Sequence, residues 1–125
     1  MSADSDKTTG LRVLVVEDEG MIAMLLDDIL SLLGHRVAAS AAALPDALAA
    51  AHQDGFDCAI LDLNLKGESS IPVAEALDER GIPFGFASGY DAPDRPERFR
   101  HVPTLLKPFA ADDVERLLER INAVS

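Results

Sequence analysis

Asp62 lies in Ala59-Ile60-Leu61-Asp62-Leu63-Asn64-Leu65, a run of strand length that carries one carboxylate among apolar neighbours and then meets the turn signal Lys66-Gly67. An acid in such a run is costly unless another group compensates its charge. Candidates stand at the ends of other apolar runs: Glu17-Asp18 after Leu14-Val15-Val16, Ser88 after Phe84-Gly85-Phe86-Ala87, and Lys107 after Leu105-Leu106. Brought together, Glu17, Asp18 and Asp62 repel one another unless a cation intervenes. Their oxygens suit a hard divalent ion, Mg2+ or in its place Mn2+, which takes such ligands octahedrally and keeps several waters. An ionised aspartate so placed is also a nucleophile, and the Lys107 ammonium and Ser88 hydroxyl are the groups that would neutralise charge developing beside it.

The elements that must position these residues are written in the hydrophobic pattern. Leu11 to Val16 reads as a buried strand, after which Ile22, Leu25, Leu26, Ile29 and Leu33 recur at helical spacing up to Gly34. Arg36 to Ala39 is a weak second strand, and Leu44, Ala47, Leu48 and Ala51 form a second helical stripe with Pro45 in its first turn. Asp57 to Leu61 is the third strand, followed by a helix from about Ser70 to Arg80 that Gly81 closes. Pro83 to Ala87 and Thr104 to Leu106 are the fourth and fifth strands, and Val114, Leu117, Leu118 and Ile121 mark a final helix. Near-continuous apolar strands alternating with helices predict an α/β fold with a parallel sheet covered on both faces. The expected architecture is the flavodoxin-like, doubly wound five-stranded sheet of order 2-1-3-4-5 with about five helices and its site at the carboxyl ends of the strands.

One segment breaks the pattern. Asp91 to Val102, where the fourth helix is due, carries Pro93, Pro96 and little apolar periodicity, which predicts a short or irregular element.

Composition narrows the functions. The 125 residues fit one domain, read as 11–123, after a disordered lead-in at 1–10, with no room for an output domain. With 22 acidic against 11 basic residues and a net charge of −11, charge-driven binding to nucleic acid or an anionic membrane is disfavoured, which leaves a protein or a cation as partner. No apolar stretch is long enough to span a membrane and Met1 to Gly10 has no signal-peptide core, so a cytoplasmic protein is expected. Cys58, the single cysteine, reads as a small buried hydrophobe, and His35, His52 and His101, which lack ligand spacing, as surface or loop residues.

The ordered set of acidic pair, intrastrand Asp, hydroxyl residue and Lys-Pro-Phe, running from about Leu11 to Ile121, resembles the receiver domains of response regulators in bacterial two-component signalling. The resemblance implies that Asp62 accepts a phosphoryl group from a phosphohistidine on a sensor kinase. It implies Asp18 and Asp62 as direct Mg2+ ligands, Glu17 as a direct or water-bridged one, and the backbone carbonyl of Asn64 as the next. Asn64 and Tyr90, two residues after the acceptor and the hydroxyl respectively, occupy positions that influence the lifetime of the phosphoryl group in receivers.

Thr104 stands three residues before Lys107, where most receivers carry an aromatic rotor. Phe84-Gly85-Phe86-Ala87-Ser88-Gly89-Tyr90 is similar to the Phe-Ala-Thr-Gly signature of stand-alone alphaproteobacterial receivers, which also lack the rotor, with Ser for Thr here. That likeness implies kinases of the HWE or a related type, and reorganisation of the fourth-helix region on phosphorylation in place of an aromatic flip.

The expected function is therefore a signalling protein, not an enzyme: a single-domain response regulator that binds an unknown downstream protein or acts as a phosphate sink, monomeric at rest with dimerisation on activation open. Two other classes compete. One is a receiver-fold binding module that works without phosphorylation. The other is a Mg2+-dependent aspartyl phosphatase of the haloacid dehalogenase type, which places a second Asp where this chain has Asn64 and needs a cap domain for which there is no room.

Overall fold

The structure, a computed structural model, describes residues 10–89 and 95–123. In chain order its elements are β1 (Arg12–Val16), α1 (Gly20–Leu32), β2 (Arg36–Ala41), α2 (Leu44–Ala51), β3 (Cys58–Asp62), β4 (Asn64–Leu65), β5 (Glu68–Ser69), α3 (Ile71–Glu79), β6 (Phe84–Ser88), β7 (Thr104–Leu106) and α4 (Ala111–Ala123). Five strands form one parallel sheet in the order β2-β1-β3-β6-β7, the doubly wound order expected once the small β4-β5 hairpin is set aside. The expected lead-in at 1–10 falls almost wholly outside the described residues, as do Tyr90 and positions 91–94. No helix among the described residues is long and apolar enough to cross a membrane.

Alternation along each strand divides the core in two. Leu14 and Val16 of β1, Ala59 and Leu61 of β3, and Phe84 and Phe86 of β6 pack toward α2 and α3. Val13, Val15, Cys58, Ile60, Ala87 and Leu105 pack toward α1 and α4. On that second face α4 seats Val114, Leu117, Leu118 and Ile121, all four residues of its predicted stripe. Gly85 lets the helix come close, because a methyl group there would stand 2.9 Å from Leu117 Cδ1 and 3.2 Å from Leu117 Cδ2.

Two local features differ from the sequence pattern, and two follow it. In α1, Leu30 is buried and Leu25 is 43% exposed, so the buried stripe lies a little further round the helix than the spacing suggests. His35 lies in the loop between α1 and β2, as expected, but is buried there and not at the surface: its Nδ1 accepts a hydrogen bond of 3.1 Å from the Leu11 amide, and burial holds its pKa below the ordinary value, against the charge of Glu115. Lys66-Gly67 forms a turn as its residues signal, closing a two-stranded hairpin whose strands the sequence pattern does not separate from the apolar run through Leu65. Across 95–102 the only helical element is a 3-10 turn, Glu97–Phe99.

That turn begins after Pro96, whose ψ of 151° is extended, and the segment offers one large apolar anchor. Phe99 is buried edge-on against Phe84 and Phe86 at centroid distances of 5.7 and 6.2 Å. Arg98 covers Phe99 at 4.7 Å and donates a hydrogen bond to Asp78, while Arg95 lies 5.1 Å over Phe86. The short irregular element in place of a fourth helix therefore hangs on a single aromatic.

The contact between β6 and α4 has a measurable consequence. Gly85→Val overpacks Leu117 and lowers the free energy of unfolding by about 1–3 kcal/mol in urea titrations. An unchanged midpoint would mean that α4 shifts freely on the sheet.

Candidate functional site

β1, β3 and β7 end at one edge of the sheet, and their terminal residues carry the charge. The Glu17 amide donates to Ala41 O at 3.0 Å and the Lys107 amide to Ser88 O at 2.9 Å, so both residues extend the strands they follow. By alternation Glu17 shares a face with Val13 and Val15, Asp62 with Cys58 and Ile60, and Lys107 with Leu105: one face, toward α1 and α4. Their side chains meet there. Lys107 Nζ donates to Asp62 Oδ2 at 2.8 Å and stands 2.9 Å from Glu17 Oε1 and 3.7 Å from Glu19 Oε1. Asp62 Oδ1 accepts a hydrogen bond of 3.0 Å from the Asn64 amide.

Asp18 completes the cluster from the following residue. One carboxylate oxygen from each of Glu17, Asp18 and Asp62 lies within 4.8 Å of the others, an all-oxygen set of the kind that holds a hard divalent cation. Glu17 and Asp62 are only 4% and 6% exposed, so water screens their repulsion poorly.

The electrostatics follow from this burial. Desolvation is the largest influence on Glu17 and raises its pKa to about 7, against the Lys107 ammonium and the hydrogen bond of 3.1 Å donated by the Glu19 amide; the Asp62 charge pushes it up further. Glu17 Oε1 is close to Lys107 but not aligned with it, and it is buried without a directed hydrogen bond. For Lys107, burial is the largest single influence and pulls the pKa down, yet the hydrogen bonds and charges of Asp62 and Glu17 together outweigh it and hold the ammonium above its usual range. One ammonium thus serves two buried carboxylates.

Ser88 is buried at the end of β6, next to Ala87, the partner of Asp62 across the sheet. By alternation it belongs with Phe84 and Phe86 on the opposite face, and its hydroxyl reaches only Gly89 O, at 3.4 Å. The structure brings Glu17, Asp18, Asp62 and Lys107 together and leaves Ser88 beside them without a hydrogen bond to any. Thr104 pairs with Phe86 and its Oγ1 donates to Val102 O at 3.3 Å. Asn64 is exposed, its Oδ1 accepting from the Gly67 amide at 2.7 Å. Two participants escape the motif: Glu19, at the lip of Lys107, and the Lys66 amide, which donates to Asp18 Oδ2 at 3.0 Å. A backbone donor leaves no signature in residue type, although the Lys66-Gly67 turn gave its place.

An open parallel sheet that presents a buried aspartate at the end of its central strand, between an acidic pair and a lysine, is a receiver-type α/β domain. The chain belongs to the response regulator receiver domain family, which it matches over residues 13–122. It is similar to SdrG from Sphingomonas melonis Fr1, with 43% identity over 97% of this chain and 98% of that one and a TM-score of 0.82. The BeF3-activated conformation of SdrG from Pseudomonas melonis Fr1 matches at 45% identity over 87% and 94% of the two chains with a TM-score of 0.73. The receiver domain of the PhyR response regulator from Erythrobacter litoralis matches at 28% identity over 94% and 93%, with a TM-score of 0.77. Comparison with curated proteins finds no match.

The raised pKa of Glu17 sets a pH dependence. Between its ordinary value of 4.5 and about 7 the folded protein holds a proton that the unfolded chain has released, so folding stability falls as pH rises through that window. In EDTA, Glu17→Gln should therefore be more stable than the parent above pH 7, by up to about 3 kcal/mol, and the gap should close toward pH 4.5. Urea titrations across that range check it; a gap that widened in acid would reverse the assignment.

Proposed function

We propose that the protein is a single-domain response regulator, folded over 11–123, that accepts a phosphoryl group on Asp62 from the phosphohistidine of a sensor kinase. The observation that carries this reading is the buried Asp62 held 2.8 Å from Lys107 with Glu17 and Asp18 alongside. An Asp62 carboxylate oxygen attacks phosphorus in line with the departing imidazole. The O–P bond forms as the N–P bond breaks, and the imidazole nitrogen keeps the electron pair and takes up a proton. Lys107, already hydrogen-bonded to Asp62 Oδ2, neutralises charge on the transferring group's oxygens. Ser88 lies one residue beyond the partner of Asp62, and in this reading its hydroxyl leaves Gly89 O and swings toward the pocket to donate to the same oxygens once the phosphoryl group is in place. Water attacking the phosphorus then releases inorganic phosphate and restores the carboxylate.

The donor set fits Mg2+: all oxygen, anionic, and including the buried Glu17 Oε1, which lacks a directed hydrogen bond. Asp18 and Asp62 would hold the ion directly, Glu17 directly or through water, and the Asn64 carbonyl as a further ligand. When bound, Mg2+ supplies charge neutralisation for the phosphoryl oxygens. The BeF3-activated conformation named for SdrG supports a site that takes a phosphoryl-like group.

A protein donor has a surface to meet. Helix α1 starts two residues after Asp18 and exposes Met21 at 86% and Met24 at 69%, with Leu25 beside them. Exposed adaptable methionines at the rim of an acceptor pocket suit a docking protein, here the kinase, of HWE or a related type by the Phe-Ala-Ser-Gly signature. The same surface leaves the downstream protein, or the return path of a phosphate sink, to share it. We read the protein as a phosphoacceptor and not an enzyme, because Asn64, where an aspartyl phosphatase places its acid and base, has its side-chain oxygen engaged by the Gly67 amide. Tyr90 and Thr104 remain candidate modulators of the phosphoryl lifetime.

Incubation with acetyl phosphate and Mg2+ should add about 80 Da, one phosphoryl group, to the intact mass, and Asp62→Ala or EDTA should abolish the gain. No adduct after rapid quenching, together with no beryllofluoride binding, would leave the phosphorylation-independent binding module as the reading. Met21→Asp should slow transfer from the phosphorylated kinase by about 10-fold or more while labelling by acetyl phosphate stays unchanged. Equal slowing of both would place the defect in the pocket and not in docking.

A further inference from the structure

The β4-β5 hairpin carries two contacts that the chemistry above does not use. Its strands are two residues each, with Asn64 opposite Ser69 and Leu65 opposite Glu68, joined by Lys66-Gly67. Both loop residues have positive φ, 53° and 88°, as a tight I′ turn requires, and the non-glycine Lys66 adopts it at a conformational cost. The turn is tied down on three sides. Leu65 is buried in the core under α3, Asn64 Oδ1 accepts from the Gly67 amide at 2.7 Å, and the Ser70 amide donates to Leu63 O at 3.1 Å. Amides two residues apart on a strand point the same way. Those of Asn64 and Lys66 point into the acidic pocket, donating to Asp62 Oδ1 at 3.0 Å and to Asp18 Oδ2 at 3.0 Å.

We propose that this hairpin is a positioning element for the cation site, with the Lys66 amide fixing Asp18 so that its other oxygen faces Glu17 and Asp62. The inference rests on the Mg2+ reading above and adds residues 64–69 to it. One rigid strand edge grips two carboxylates that lie far apart in sequence and sets the spacing between them, which a small octahedral ion tolerates poorly if it is wrong. Cation binding through the free oxygen leaves the Lys66 hydrogen bond in place, and a carboxylate already held by one of the two has less freedom to lose on meeting the other.

Mn2+ is the probe, with free ion read by electron paramagnetic resonance on the full chain. Gly67→Val, which a branched side chain at φ 88° strains, should weaken Mn2+ binding roughly 10-fold, while Lys66→Gly, which keeps both the amide and the turn, should bind as the parent does. Parental affinity in Gly67→Val overturns the proposal alone. Equal weakening in Lys66→Gly places the effect in the lysine side chain and also overturns it. A parent that binds no Mn2+ removes the metal reading itself. Should Gly67→Val not fold, amide exchange in the parent decides: saturating Mg2+ should slow exchange at Lys66 and Asn64, and faster or unchanged exchange at Lys66 means the hairpin does not hold Asp18 in the bound state.

Discussion

Two carboxylates, Glu17 and Asp62, are buried side by side at one end of the sheet, and one ammonium, Lys107, compensates both. Neither acid would be tolerated there alone, because removing a charge from water costs several kcal/mol unless a partner of opposite sign comes with it. The ammonium is 15% exposed and is itself penalised by burial, so the trio holds only if all three strand ends arrive together. Glu17 remains the weak member, its pKa raised to about 7 and one oxygen without a directed hydrogen bond. The pocket is thus stable enough to persist and short of positive charge, which is the condition a divalent cation or an incoming phosphoryl group with its counterion would relieve.

The rest of the molecule brings those strand ends into line. β1 and β3 pair in parallel from Val13–Cys58 to Val16–Leu61, and β3 and β6 from Ala59–Phe84 to Asp62–Ala87, so the residues just beyond each strand emerge at the same level. Alternation then chooses the face. A slip of one residue in β3 would turn Asp62 away from Lys107 and put Leu61 in its place. Gly85 contributes indirectly, since the close seat of Leu117 on β6 fixes α4 and hence the turn from Lys107 into that helix.

Much of this was legible in the chain. Each strand was readable as a short apolar run, and the polar residue at its end was conspicuous because charge is expensive in such a place. The final helix was readable because Val114, Leu117, Leu118 and Ile121 fall on one stripe. Less legible was α1, where apolar residues occur nearly all round, so periodicity alone did not separate the buried Leu30 from the exposed Met21, Met24 and Leu25. His35 was legible as a loop residue but its burial was not, for a related reason: a ring between a helix and a strand looks exposed until the Leu11 amide is seen to donate to it. The turn at Lys66-Gly67 was legible, but the two short strands it joins were hidden because Leu63 and Leu65 continue the apolar run of β3 past the point where the strand ends.

Residue type and order by themselves determined the alternating α/β architecture, the edge of the sheet that carries the site, and the identity of Glu17, Asp18, Asp62, Ser88 and Lys107 as its candidates. These depend on local period and on the cost of placing charge beside apolar residues, both of which act over a few positions. Tertiary structure alone decided that Lys107 is shared between Glu17 and Asp62, that Ser88 lies by alternation on the other face, and that the backbone of Asn64 and Lys66 grips Asp62 and Asp18. Those outcomes depend on strand register and on the direction of individual N–H bonds between segments as much as 48 residues apart, and a side-chain alphabet does not encode where a main-chain amide points.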